Sequence, residues 1–198
     1  MPAFGRIESH KDFPSQLVPP RPVEVWLPPG YDENPTARYP VVYMHDGQNV
    51  FTNGTGYGGS TWETDRAMQK LLTDKTARPA IIVGIWNPGM GRYPEYMPRK
   101  AVTGDTVALF KNGPTLPAAS IRSDAYLKFI VEELKPFVDR TYRTQPGREH
   151  TSVMGSSMGG LISLYAVCEY PEVFGGAACL STAWPAAADR IPCSTGFF

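Results

Sequence analysis

His150-Thr151-Ser152-Val153-Met154-Gly155-Ser156-Ser157-Met158-Gly159-Gly160 reads as a short strand, a very tight turn and the start of a helix. Within it, Gly155-Ser156-Ser157-Met158-Gly159 fits G-x-S-x-G in one register only, with Ser157 at the centre. The central residue of such a turn is held in a strained backbone conformation. That strain is tolerable only when the residues two before and two after are too small to collide. Ser156 cannot take the central place, because its flanks at that spacing are Met154 and Met158. The turn holds a hydroxyl clear of a sheet at a helix N-terminus, where backbone N–H groups favour developing negative charge. Ser157 is therefore the candidate nucleophile. The flanks agree: Thr151 to Met154 supplies a strand, and Met158 to Tyr170 a helix with Leu161, Leu164, Tyr165 and Cys168 at helical spacing.

The 198 residues suit a single domain spanning 1–198, long enough to bury a core. Lys+Arg and Asp+Glu are equal at 19 each, which argues against nucleic acid or an anionic membrane as partner. No apolar run reaches membrane-spanning length. Met1 to Pro14 is polar and broken by Pro and Gly, so no signal segment is visible and the cytoplasm is the default compartment. Cys168, Cys179 and Cys193 lack metal-ligand spacing; the first two read as small buried hydrophobes, and no metal or cofactor is implied.

In chain order, Ala3 to Ser9 reads as an edge strand and Val23 to Leu27 as a second strand. Tyr39 to Met44 is an apolar run of central-strand type, followed by a polar, Gly-rich loop from His45 to Gly59. Ser60 and Glu63 form a capping-box pattern opening a helix that buries Met68, Leu71 and Leu72. Pro79 to Trp86 is another strand, and residues 87–116 form an irregular, substrate-side loop. A long helix starts at Ser123-Asp124, buries Leu127, Ile130, Val131, Leu134 and Val138, and should kink at Pro136. After the Ser157 unit comes a last strand, Gly175 to Ser181. The order β-β-β-α-β-α-β-α-β predicts an α/β fold, a mainly parallel sheet with helices on both faces.

Reactive groups in such sheets gather at the C-terminal ends of strands. An acyl-transfer site needs two N–H donors aimed at a tetrahedral oxyanion. The amide of Met158, just after the nucleophile, is one. The amide of Gln48, in the loop His45-Asp46-Gly47-Gln48-Asn49, is the other, with Gly47 letting the backbone turn inward.

Tyr43-Met44-His45-Asp46-Gly47-Gln48-Asn49, Arg92-x-x-Glu95-Tyr96 and Met154 to Gly160 together resemble the esterase branch of the α/β-hydrolases. That branch includes enterochelin (siderophore) esterases, feruloyl and acetyl-xylan esterases, S-formylglutathione hydrolase and mycolyltransferases. The resemblance runs from about Arg21 to Trp184. It implies a serine ester hydrolase acting on a small-molecule, carbohydrate or siderophore ester, with Ser157 as nucleophile and Gln48 and Met158 as oxyanion hole. It also implies a substrate-binding role for Arg92.

The chain departs from the family in one respect. Members carry their acid and histidine after the nucleophile, yet no histidine follows Ser157, and the only acids there are Glu169, Glu172 and Asp189. Glu169 and Glu172 read as solvated. His150 begins the strand that Ser157 ends, roughly 20 Å away at the usual rise per residue. His10 belongs to the polar N-terminal segment. His45 is nearest, and its place at the start of the Gly47 loop suits bracing better than proton transfer. The sequence from Ala186 to Phe198 reads as a hydrolase body lacking its C-terminal quarter to third. A catalytically incomplete fragment or non-catalytic scaffold is the alternative. Gly54-x-Gly56-x-x-Gly59 suggests a dinucleotide fold only weakly, because nine residues separate it from its strand.

Overall fold

The structure is a computed structural model and describes residues 4–109 and 114–184. The tail beyond Trp184, with Asp189 and Cys193, lies outside the described residues.

Runs of β-branched and aromatic residues build a six-stranded sheet. Its strands are β1 (Arg6–Phe13), β2 (Arg21–Leu27), β3 (Val41–His45), β4 (Ile81–Ile85), β7 (Thr151–Ser156) and β8 (Gly176–Leu180). A separate hairpin pairs β5 (Thr106–Ala108) with β6 (Thr115–Pro117). The sheet order is β1-β2-β4-β3-β7-β8. β4, β3, β7 and β8 run parallel, whereas β1 and β2 are antiparallel additions. The mainly parallel expectation therefore holds.

Register follows the alternation of side chains. Val25, Val83, Tyr43 and Val153 form one row across four strands, and all four are fully buried. That face packs against α3 (Ser123–Lys128), a π-helical turn (Phe129–Leu134), α4 (Lys135–Thr141) and α5 (Met158–Glu169). The opposite face carries Trp26, Met44 and Ile82, covered by Val50, Phe51 and Met68 and Leu72 of α1 (Thr64–Thr73). Helices thus occupy both faces, as the element order predicts.

Several local expectations need correction. α1 begins at Thr64 behind a left-handed Glu63, and no side chain caps it, so the Ser60/Glu63 capping box does not form. Asp65 instead turns back to bind the amide and hydroxyl of Thr52. Leu71 is exposed, since the half-buried Met68 and Leu72 already fill the contact with the sheet. Pro136 lies at the start of α4, directly after the π-helical turn, and no sharp kink is needed. Proline has no N–H and its ring collides with the carbonyl four residues back. Lys135 N–H bonds to Ile130, five residues back, and this wider register accommodates the ring. Glu169 is not simply solvated but pairs with Lys100 at 2.6 Å. Cys168 is buried as expected, while Cys179 is only half-buried.

Residues 87–116 carry more order than their composition suggests. A 3-10 turn (Gly89–Gly91) leads into α2 (Arg92–Tyr96), then a second 3-10 turn (Arg99–Ala101) and the first strand of the β5/β6 hairpin. The anchor is a buried ion pair. Arg21 Nη1 and Nη2 each donate to Glu95 at 2.7 Å, and the guanidinium lies over the rings of Tyr126 and Phe129. Arg21 lies on β2 and Glu95 on α2, so the pair ties this segment to the sheet.

β8 is an edge strand. Ala177, Ala178 and Leu180 are exposed, the strand carries no charge, and no described strand pairs with its outer side. Flat, uncharged edges recruit other chains. The 198-residue chain is expected to self-associate with rising concentration in sedimentation velocity, and Ala178→Lys to shift it toward monomer. A monomer at all concentrations in both forms would contradict this.

Candidate active site

The chain leaves β3 toward β4 on one side and leaves β7 toward β8 on the other, so the direction of winding switches between the neighbouring strands β3 and β7. In open α/β sheets a crevice opens at such a switch point, outside the carboxyl ends of the strands. Here the two segments at that crevice are the loop after β3, with Gln48, and the turn after β7, with Ser157.

Ser157 sits between β7 and α5 with φ 59° and ψ −119°, a conformation that costs a non-glycine residue about 1–3 kcal/mol. Close approach makes the flanking glycines necessary. A Cβ on Gly155 would lie 2.6 Å from the carbonyl carbon and oxygen of Gly159. A Cβ on Gly160 would meet the Thr182 hydroxyl at 2.7 Å. The Ser157 amide donates to the Leu180 carbonyl at 2.9 Å, and the Ser157 carbonyl accepts from Ala183 at 3.1 Å. The residues after β7 and those at the end of β8 thus hold the turn jointly.

Gly47 to Asn49 forms a single 3-10 turn. Its amides donate in order: Asn49 to Asp46 at 2.8 Å and Val50 to Gly47 at 3.0 Å. The Gln48 amide precedes the first of these bonds, as the Met158 amide precedes the first bond of α5, so neither has an acceptor within its own helix. A Cβ on Gly47 would lie 2.7 Å from the backbone of Gly84 and Ile85, which explains glycine there. The Gln48 side chain accepts from the Asn87 amide.

Asp46, the residue before this turn, is left-handed (φ 60°, ψ 48°) and almost fully buried. Its carboxylate accepts three hydrogen bonds at 2.7 Å, from Arg92 Nε, Arg92 Nη2 and Asn87 Nδ2. Arg92 Nη2 also donates to the Ser156 carbonyl at 3.3 Å, and the guanidinium lies over the Tyr96 ring. Arg92 does line the cleft, but two of its nitrogens are committed to the protein. Sequence reasoning gave Asp46 no role beyond its place in the loop that carries Gln48. The sole signal of its importance is the co-occurrence of His45-Asp46-Gly47 with Arg92-x-x-Glu95-Tyr96, in which every named residue proves to bind the scaffold.

The cleft holds about 780 Å³ and includes Gln48, Arg92, Ser156 and Ser157 in its lining. Tyr57, Trp62 and Tyr93 put aromatic surface around it, with Tyr57 94% exposed. Gly54-x-Gly56-x-x-Gly59 forms part of this rim as a turn.

None of the three histidines lines the cleft. His10 bonds to the Tyr142 hydroxyl, and His150 precedes β7, at the opposite end of the strand from Ser157. His45 is sealed beneath the loop: its Nδ1 lies 2.7 Å from the Tyr126 hydroxyl, and its ring packs on Tyr96 and Tyr126. The Tyr96 hydroxyl accepts from the Asp46 amide. Burial pushes the His45 pKa down to about 4, so the imidazole is neutral and braces the loop. Unfolding exposes it to water, where its pKa returns to about 6.5. The unfolded chain thus binds a proton that the native chain does not. This stabilising contribution is complete above pH 6.5 and declines as pH falls toward 4. Thermal melts across that window should show a smaller acid loss for His45→Gln than for the parent; equal losses would refute the assignment.

A family model described as "Putative esterase" matches residues 15–190. YjcH of Bacillus subtilis (strain 168) is 26% identical over 174 residues, covering 88% of this chain and 60% of YjcH. Ferri-bacillibactin esterase BesA of the same organism is 27% identical over 143 residues, covering 71% and 46% respectively. The chain thus spans about half the length of these relatives. Among solved structures, the CE1 ferulic acid esterase AmCE1/Fae1A from Anaeromyces mucronatus, in complex with ferulic acid, superposes with a TM-score of 0.57 at 26% identity. That match covers 87% of this chain and 56% of the esterase. With the strained turn at Ser157, the switch-point cleft and a family match over most of its length, the chain belongs to the putative esterase family of α/β-hydrolase folds.

Proposed function

We propose that this chain carries the nucleophile and oxyanion hole of a serine ester hydrolase. The observation that supports the reading most is the backbone of Ser157, strained between β7 and α5 at the wall of the cleft. Strain of this kind persists where the surroundings enforce it, and it clusters at functional sites. Ser157 Oγ attacks the ester carbonyl, forming a C–O bond as the carbonyl π pair moves onto oxygen. The amides of Gln48 and Met158 receive that oxyanion. Collapse of the intermediate expels the alcohol and leaves an acyl group on Ser157, which water then removes. No metal or cofactor has a part in these steps.

The substrate is a small ester that fits the cleft. The flat faces of Tyr57, Trp62 and Tyr93 favour a ring-bearing group, in keeping with the ferulic acid named for one relative. The proton of Oγ needs an acceptor, and no histidine of the chain lines the cleft. The chain by itself is therefore expected to reach only the residual catalysis of an oxyanion hole and binding, about 10³–10⁴ over water. The same observation supports a second reading, a hydrolase body that binds without catalysing.

Incubation with a fluorophosphonate followed by peptide mass mapping separates the two. The esterase reading expects a single adduct on Ser157, lost in Ser157→Ala and kept in Ser156→Ala. No adduct on Ser157 after prolonged incubation would leave the binding reading standing.

A further inference from the structure

We infer that the Asp46–Arg92 ion pair positions both halves of the oxyanion hole, which makes Arg92 a positioning residue and not a ligand of the substrate. The inference rests on the esterase reading for its consequence and on packing for its geometry.

Three segments meet at the Asp46 carboxylate. The first is its own: Asp46 directly follows β3, and its carbonyl accepts from Asn49 to close the turn carrying Gln48. The second follows β4 and contributes Asn87 Nδ2 and the Arg92 fork. The third is the strained turn, reached through Arg92 Nη2 to the carbonyl of Ser156, the residue before the nucleophile. The carboxylate also lies 3.2 Å from where a Cβ of Gly159 would sit, against the first turn of α5. One guanidinium therefore ties the Gln48 loop to the backbone that carries Ser157 and Met158.

Charge gives a second reason for the pair. A buried carboxylate beside a developing oxyanion would oppose it, and Arg92 cancels that charge at 2.7 Å. The planar fork matches the carboxylate in two bonds, a geometry that lysine cannot reproduce. Asp46 is almost fully buried and the Arg92 side chain is 20% exposed, so solvent competes only weakly for the bonds.

The test compares the parent with Arg92→Lys and Arg92→Ala by steady-state kinetics on neutral p-nitrophenyl acetate and on an anionic ester, and by amide hydrogen exchange. A positioning role predicts that Arg92→Ala lowers kcat tenfold or more on both esters with KM unchanged. Added guanidinium ion should restore part of the rate, and Arg92→Lys should fall between the two. Exchange should quicken at residues 46–50 and 156–161 while 23–27 and 81–85 keep their protection. Three results would overturn the inference: KM rising for the anionic ester alone, exchange quickening equally across the sheet, or no change in any readout. If the parent has no turnover, the esterase reading fails, and the exchange pattern in Arg92→Lys still decides the positioning claim. If Arg92→Ala does not fold, Arg92→Lys supplies both readouts.

Discussion

The left-handed backbone of Ser157 is the constraint on which the surrounding structure depends. A residue with a side chain at φ 59° is unfavourable by about 1–3 kcal/mol, and the local sequence offers no compensation of its own. Support comes from three directions. Glycines at 155, 159 and 160 remove the side chains that would block so tight a turn. The Leu180 carbonyl, at the end of β8, and the Ala183 amide, just beyond it, bind the two backbone groups of Ser157. Arg92 holds the carbonyl of Ser156. Strand pairing, helix packing and a buried ion pair therefore converge on one peptide, and each would lose its geometry without the others.

Two buried ion pairs organise the segment that follows β4. Arg21–Glu95 and Arg92–Asp46 both join α2 or its first residue to the sheet side of the molecule. Breaking one partner of such a pair typically destabilises by about 3–5 kcal/mol, because the remaining charge is left without water or a counter-charge. Replacement of both partners by apolar residues is often tolerated, so their presence here is better explained by geometry than by stability alone. A bidentate fork defines distance and angle, and α2 is only five residues long, too short to hold its place by packing alone. The segment is rich in Gly and Pro yet ordered, and these forks are the reason.

The aromatic layer under the loop completes the support. His45, Tyr96 and Tyr126 pack ring against ring, with the Asp46 amide bound to Tyr96 and the His45 imidazole to Tyr126. Deep burial keeps the imidazole neutral and raises both phenols, so every member of the layer is uncharged near neutral pH. Such a layer holds a polar loop without placing a net charge beneath it. The cleft above it has aromatic surface from Tyr57, Trp62 and Tyr93 around it.

Much of this was legible in the sequence because its signals are local. Alternation in Val23 to Leu27, the apolar runs of β3 and β4, and the Gly-Ser-Ser-Met-Gly turn each report a backbone period or a steric demand within a few residues. Those signals determine the α/β class, the mainly parallel sheet and Ser157 as the strained residue, whereas the order in which the strands lie side by side emerges only in the fold. They do not carry the helix cap, the exposed Leu71 or the π-helical turn before Pro136, because neighbours distant in sequence decide which local option wins. The same holds for the site. The family resemblance implies a substrate-binding role for Arg92, and only the folded chain brings it within 2.7 Å of Asp46, 46 residues earlier. Sequence alone thus determined the period, the turn and the strained serine at its centre. The tertiary structure decided which charges face the cleft and which face each other, since burial and pairing depend on contacts made by segments that meet only after the sheet has formed.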